Sequence, residues 1–210
     1  MLLSNEQHFV DIRFRDDIDR IDWILTGKEY DIPNTNKIEF QHEINTNVPG
    51  FHGGEFDVGN FNSIPNTDDR EETGEMINPQ TRKVQPYREV WRSIDPLKST
   101  FENFVREDSN SDVKVPCVVL KVVQKPGVNY IGTVVRLGNF LQGALLNKDT
   151  ETYNCAQYYL KDGKWEHHLD ATEVGKDGSD DDIVPSIPFE INENLIELDG
   201  VEWEVVESNL

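Results

Sequence analysis

Tyr153–Leu169 reads YNCAQYYLKDGKWEHHL, two short apolar-rich runs either side of Asp162-Gly163. Both turn residues tolerate positive φ, so the stretch predicts a hairpin with Tyr153–Leu160 and Trp165–Leu169 as its strands. The same punctuation repeats outward from it. Gly138-Asn139 separates Tyr130–Leu137 from Phe140–Leu146, and Lys125-Pro126-Gly127 ends the β-branched run Cys117–Val123. Asp199-Gly200 separates Ile196 and Leu198 from Val201, Trp203 and Val205. About six short strands with turns every 8–12 residues predict a closed or nearly closed antiparallel barrel.

The first half carries the same period-two signal. Val10, Ile12 and Phe14 alternate with Asp11, Arg13 and Arg15. Ile38, Phe40, His42 and Ile44 are expected to share one strand face, with Glu39, Gln41 and Glu43 on the other. Phe56 and Val58 follow the flexible pair Gly53-Gly54, and Tyr87–Ile94 reads as a strand covered on both faces. Between the halves the character changes. Ser99-Thr100-Phe101-Glu102 matches a capping box, and Phe101, Phe104 and Val105 fall at helical spacing, which predicts a short helix. Glu107–Asp112 is polar and unanchored, a linker. The expected organisation is a barrel-like domain over 1–98, a linker with a short helix over 99–112 and a second barrel over 113–210.

Forty acidic against 20 basic residues give a formal charge of −20, which repels phosphate backbones and anionic membranes alike. Nucleic acid is therefore not an expected partner, and membrane insertion is not expected in a chain without a long apolar run. Met1–Arg20 holds five acids and does not read as a signal peptide, so cytoplasm, with nucleus, is the expected compartment. Cys117 and Cys155 sit among Val118, Val119, Ala156 and Tyr158 and read as buried, inert thiols.

No catalytic constellation is present in the pattern. His167 and His168 are adjacent on a strand and point to opposite faces, so they cannot share one ion. His42 lies on an apolar strand face, and His8 and His52 near strand ends. Glu71, Glu72 and Glu75 are the most suggestive carboxylates, but adjacent acids usually mark a solvated face. No catalytic, cofactor or metal residue is assigned. Trp91, Trp165 and Trp203 are expected on inward faces, filling the barrels or lining a pocket for one small apolar molecule.

Certain blocks are also similar to known proteins. Glu71-Glu72-Thr73-Gly74, Tyr87-Arg88-Glu89-Val90-Trp91, Ile94-Asp95-Pro96, Gly132–Leu146 and Leu198–Glu207 resemble, in order and spacing, the fungal HRI family. The resemblance implies two tandem calycin-like β-barrels, no established enzymatic activity, and a casein kinase I-type protein kinase as partner. It runs from about Phe9 onward, and a leading segment of about 25 residues, the length of two strands and their turns, is missing by comparison. The first barrel is then expected to leave an unpaired edge, which favours a homodimer. Ser111, preceded by Glu107 and Asp108, and Ser179, followed by Asp180–Asp182, are the candidate phosphosites. The resulting expectation is a non-enzymatic protein-interaction module, with a carrier of a small apolar ligand as the alternative.

Overall fold

A computed structural model describes residues 1–15, 20–51, 53–54, 56–78, 81, 83–108, 112–173 and 185–210. Among them every regular element is a strand. The first sheet takes its strands in sequence order: β1 (Leu2–Leu3), β2 (His8–Arg15), β3 (Arg20–Asp31), β4 (Lys37–Asn45), β5 (Phe56–Ser63), β6 (Arg70–Ile77) and β7 (Val84–Trp91). The second contains β8 (Cys117–Val122), β9 (Tyr130–Leu137), β10 (Phe140–Asn147), β11 (Thr152–Lys161), β12 (Lys164–Glu173), β13 (Leu195–Leu198) and β14 (Val201–Ser208). Its order is β12-β11-β10-β9-β8-β14-β13, and all pairing is antiparallel. The terminal strands of neither sheet pair with each other among the described residues, so each half is a curled, barrel-like sheet with open edges. The all-β, two-barrel architecture holds.

Hairpin chemistry places these strands as the dipeptides indicate. Asp162 and Gly163 both take positive φ, as do Asp199 and Gly200, the geometry that matches the twist of the flanking strands. The linker helix is not formed. The Ser99 hydroxyl, instead of capping, accepts the Val105 N–H at 2.9 Å and donates to the Val105 carbonyl at 3.0 Å. Thr100 and Asn103 exchange backbone hydrogen bonds, and a bridge joins Ile94 to Arg106. Phe101 packs edge-on to Phe140 at 5.2 Å and stacks on His168 at 3.6 Å. A helix of two turns is marginal alone, so these tertiary contacts override its cap signal.

The core lies where the two sheets meet. Val10, Ile12, Ile24 and Ile44 of the first sheet pack with Val119, Val135, Leu146 and Tyr153 of the second. Fully burying a side chain of this kind contributes about 1.5–3 kcal/mol. Ile44 reaches this layer through a bulge. The β3–β4 register shifts between Thr26 and Gly27, leaving Glu43 as the extra residue. Ile38 and Phe40 therefore stay on one face while Ile44 turns to the other, against the simple alternation. Glu43 itself pairs with Lys121 and accepts a hydrogen bond from Thr133 at 3.1 Å, joining the halves.

The far face of the second sheet is a second core of Leu120, Val134, Leu141, Leu145 and Trp203, closed by Ile187 from the segment before β13. Trp203 is fully buried. Its indole fits because β9 carries Gly132 beneath it: a Cβ there would stand 2.6 Å from the ring edge. The interior of this half is filled by side chains, as close packing demands.

Candidate functional site

The concave face of the first sheet is not filled. Strand alternation sends Val10 and Ile12 of β2 toward the second sheet, so Phe9, Asp11 and Arg13 point the other way. Trp23 of β3, Phe40 and His42 of β4, and Asp57 of β5 join them. Glu72 of β6 and Tyr87, Glu89 and Trp91 of β7 complete the wall. Together they line a concavity that opens to solvent.

Arg13 organises the site. Its Nε lies 2.7 Å from Asp11 Oδ2, and its Nη1 donates to Glu89 Oε1. The guanidinium sits 4.9 Å from the centroid of Trp23 and 5.8 Å from that of Trp91, a cation held between two indole faces. Glu72 is only 4% exposed. It accepts hydrogen bonds from Tyr87 Oη at 2.6 Å and Trp91 Nε1 at 2.7 Å. Gly59 makes room for it, since a Cβ there would lie 2.3 Å from Glu72 Oε1.

Two buried polar atoms on this wall have no hydrogen-bond partner, Trp23 Nε1 and Asp57 Oδ1. The nearest cationic candidate for Asp57 is His42 Nε2, 3.8 Å away. Burial pushes the Asp57 carboxyl up to about 6, against the pull of Arg13. Burial raises Glu72 too, although Tyr87 and Trp91 pull it back. Asp11 behaves oppositely: burial alone would raise it, but the Met1 ammonium and Arg13 hold it below its usual value. The wall thus carries four carboxyl groups against one guanidinium and the Met1 ammonium, among aromatic faces. Among the described residues it offers no serine, cysteine or lysine to act as a nucleophile.

A fifth acid lies on the same sheet face. Glu29, opposite Phe40 in the β3–β4 ladder, is buried, and desolvation pushes it up to about 7 despite Arg70. An acid that holds its proton more tightly when folded stabilises the fold below its unfolded value, and that contribution is lost as pH rises through the folded one. Stability should therefore fall between about pH 4.5 and 7, and Glu29→Gln should flatten that limb in urea titrations run across the range. An unchanged slope in the variant would place the proton elsewhere.

The structure distributes the residues singled out from sequence. Trp91 lines the concavity. Trp203 fills the second half, and Trp165 packs at the border of that core with the Arg136 guanidinium 5.2 Å from its ring. Glu71 and Glu72 split across β6: Glu71 pairs with Arg88 outside, while Glu72 is buried inside rather than on a solvated face. Cys117 and Cys155 are buried, and burial pushes the Cys117 thiol up to about 11. Ser111, Ser179 and His52 lie outside the described residues. Trp23, Asp11, Arg13 and Asp57 were not singled out. The signal for them was the set of charged residues alternating within strands rich in aromatics, which reads equally well as a solvent face.

Comparison with known proteins places the chain. It is 27% identical over 177 residues to Protein HRI1 of Kluyveromyces lactis, covering 82% of this chain and 68% of that relative. With Protein HRI1 of Candida glabrata the figures are 26% over 149 residues, 66% and 55%. The chain thus spans between about half and two thirds of the curated relatives it matches. The crystal structure of the uncharacterized protein YLR301w from Saccharomyces cerevisiae superposes with a TM-score of 0.71 at 22% identity, over 99% of this chain and 89% of that one, which supports the fold. Since the Protein HRI1 family matches residues 1–207, nearly the whole chain, the chain belongs to the HRI1 family.

Proposed function

We propose that this chain is a non-enzymatic binding protein whose first half holds a small organic cation with an apolar body. The observation that carries this reading is the excess of carboxyl groups over cations on an aromatic wall, with Asp57 Oδ1 buried and lacking a donor. Aromatic faces and carboxylates together favour an ammonium or guanidinium group, and the Arg13 guanidinium between Trp23 and Trp91 is one instance of that pairing on the same wall. The concavity opens to solvent, so a ligand can reach these groups. Compared with a carrier for a purely apolar molecule, the buried charges favour a ligand with a donor to offer.

Titration with octyltrimethylammonium, octanol and octyl sulfate below their micelle concentrations, followed by tryptophan fluorescence, tests the reading. The cation should bind, and more tightly as pH rises from 5 to 7 because Asp57 ionises near 6. Equal binding of octanol or the sulfate, or no binding of the cation, contradicts it.

The second reading is a protein partner, a kinase of the casein kinase I type, which the family resemblance implies. The open edge strand β7 favours it. Val84 and Val90 are 64% and 51% exposed there, beside Ile77 of β6, and an unpaired strand edge accepts a partner's strand. The net charge of −20 suits a basic cleft. A second copy of the chain competes for the same edge, and sedimentation showing a species heavier than 24.2 kDa would favour that homodimer.

A further inference from the structure

The two halves also meet where the first hairpin touches the last strand. Two local features aim the side chains. In β14 the register with β8 shifts between Val205 and Glu207, a bulge that turns Glu207 toward the first sheet. In β2, His8 shares the face of Val10 and Ile12 and so points to the same place. Ser4 and His8 close the hairpin through a backbone bond of 2.8 Å, which holds Glu6 at its tip.

Glu207 is buried and collects only neutral donors: Ser4 Oγ at 2.5 Å, the Glu6 N–H at 3.2 Å and Cys117 Sγ at 3.4 Å. No side-chain cation pairs with it among the described residues. His8 is 8% exposed, and its Nδ1 is buried with no hydrogen-bond partner. One ligand atom each from Glu6, His8 and Glu207 lie within 4.8 Å of one another. We propose that Glu6, His8 and Glu207 form a binding site for a divalent transition-metal ion of the zinc type, clasping the first hairpin to the last strand.

The chemistry and size fit. An imidazole with two carboxylates is a common zinc donor set, with bonds of about 2.0–2.2 Å. Three atoms no more than 4.8 Å apart place a central ion at most about 2.8 Å from each, so side-chain shifts under about 1 Å complete the shell. Burial, then Lys121 and Lys28, hold the His8 ring below its usual pKa, against Glu43 and Glu207, so it is neutral at pH 7 with a lone pair to give. The Ser4 hydroxyl on Glu207 Oε2 orients that carboxylate, as outer partners of metal ligands do. Cys117 is not one of the three, although its thiol adjoins Glu207 and the Asn5 backbone. The ion would neutralise a buried carboxylate and supply the missing partner of a buried imidazole at once.

Calorimetric titration of the chelator-treated full chain with Zn²⁺ tests the site, alongside Glu6→Gln, His8→Gln and Cys117→Ser. One equivalent should bind. Glu6→Gln and His8→Gln should weaken it by at least about tenfold, and Cys117→Ser should leave it within about threefold. Zinc should also raise the unfolding temperature of the parent. Glu6 is exposed at a turn, so Glu6→Gln keeps the fold and decides the matter if His8→Gln does not fold. The absence of one-to-one zinc binding by the parent, or parent-like affinity in Glu6→Gln, overturns the proposal. So does loss of binding in Cys117→Ser alone.

Discussion

Trp203→Ala is expected to lower the free energy of unfolding by about 3–5 kcal/mol, the cost of deleting a large buried aromatic. Trp203 is fully exposed to its core and to nothing else: it has no solvent-accessible surface, and Leu120, Leu141, Leu145 and Ile187 surround it. The site cannot collapse easily, because Gly132 offers no side chain to move into the hole. Its Nε1 has no hydrogen-bond partner, so the loss is one of packing alone, and Trp203→Phe should recover much of it. Against a typical total of about 5–15 kcal/mol, the alanine variant forfeits a large share of the stability. The urea midpoint measures this directly, and a midpoint equal to the parent's would show that the second half tolerates a cavity.

The second large effect belongs to the first half. Arg13→Ala should cost about 3 kcal/mol at neutral pH, the lower end for breaking a buried ion pair, because the Arg13 side chain keeps 26% of its surface exposed. Asp11, whose side chain is 6% exposed, would be left with the Met1 ammonium 3.4 Å away, and Glu89 would lose its guanidinium. The pH dependence identifies the cause. In the parent, Asp11 is held below its ordinary 3.8, so its stabilisation is present above that value and fades as pH falls through the folded one. In the variant only the Met1 ammonium still opposes burial, so Asp11 is held down less, and the difference between the two proteins should narrow as pH falls through the two folded values. A loss of stability that is constant across pH would mean that Arg13 acts through packing against Trp23 and Trp91.

Much of the fold was legible because its signals are local. The Asp162-Gly163 and Asp199-Gly200 turns and the β-branched run from Cys117 place their strands without reference to the rest of the chain. What was not legible depends on irregular pairing. β3 was missed, and it carries ladder shifts against both neighbours, between Arg13 and Phe14 and between Thr26 and Gly27. The Glu43 and Val206 bulges likewise turn Ile44 and Glu207 to faces that period-two counting does not assign. The Ser99 cap signal was real local chemistry, but the Val105 backbone takes the Ser99 hydroxyl, and Phe140 and His168 hold the Phe101 ring.

The concavity was hidden for a different reason. Alternating charge on a strand ordinarily marks solvent, and only the curl of the first sheet brings Asp11, Arg13, Asp57 and Glu72 to face one another. Trp23 and Trp91 are 68 residues apart in sequence, yet the cation between them links β3 to β7. No spacing rule over one strand contains that information.

Indole N–H resonances distinguish the concavity from the second core, because the four tryptophans divide between the halves. Trp23 and Trp91 face the concavity, whereas Trp203 is sealed in the second core and Trp165 packs at its border. On titration of the ¹⁵N-labelled full chain with octyltrimethylammonium, the Trp23 and Trp91 signals, assigned by Trp→Phe variants, should shift saturably. Trp203 and Trp165 should hold still. Shifts confined to Trp165 or Trp203, or no saturable shift of Trp23 and Trp91, would contradict binding in the concavity.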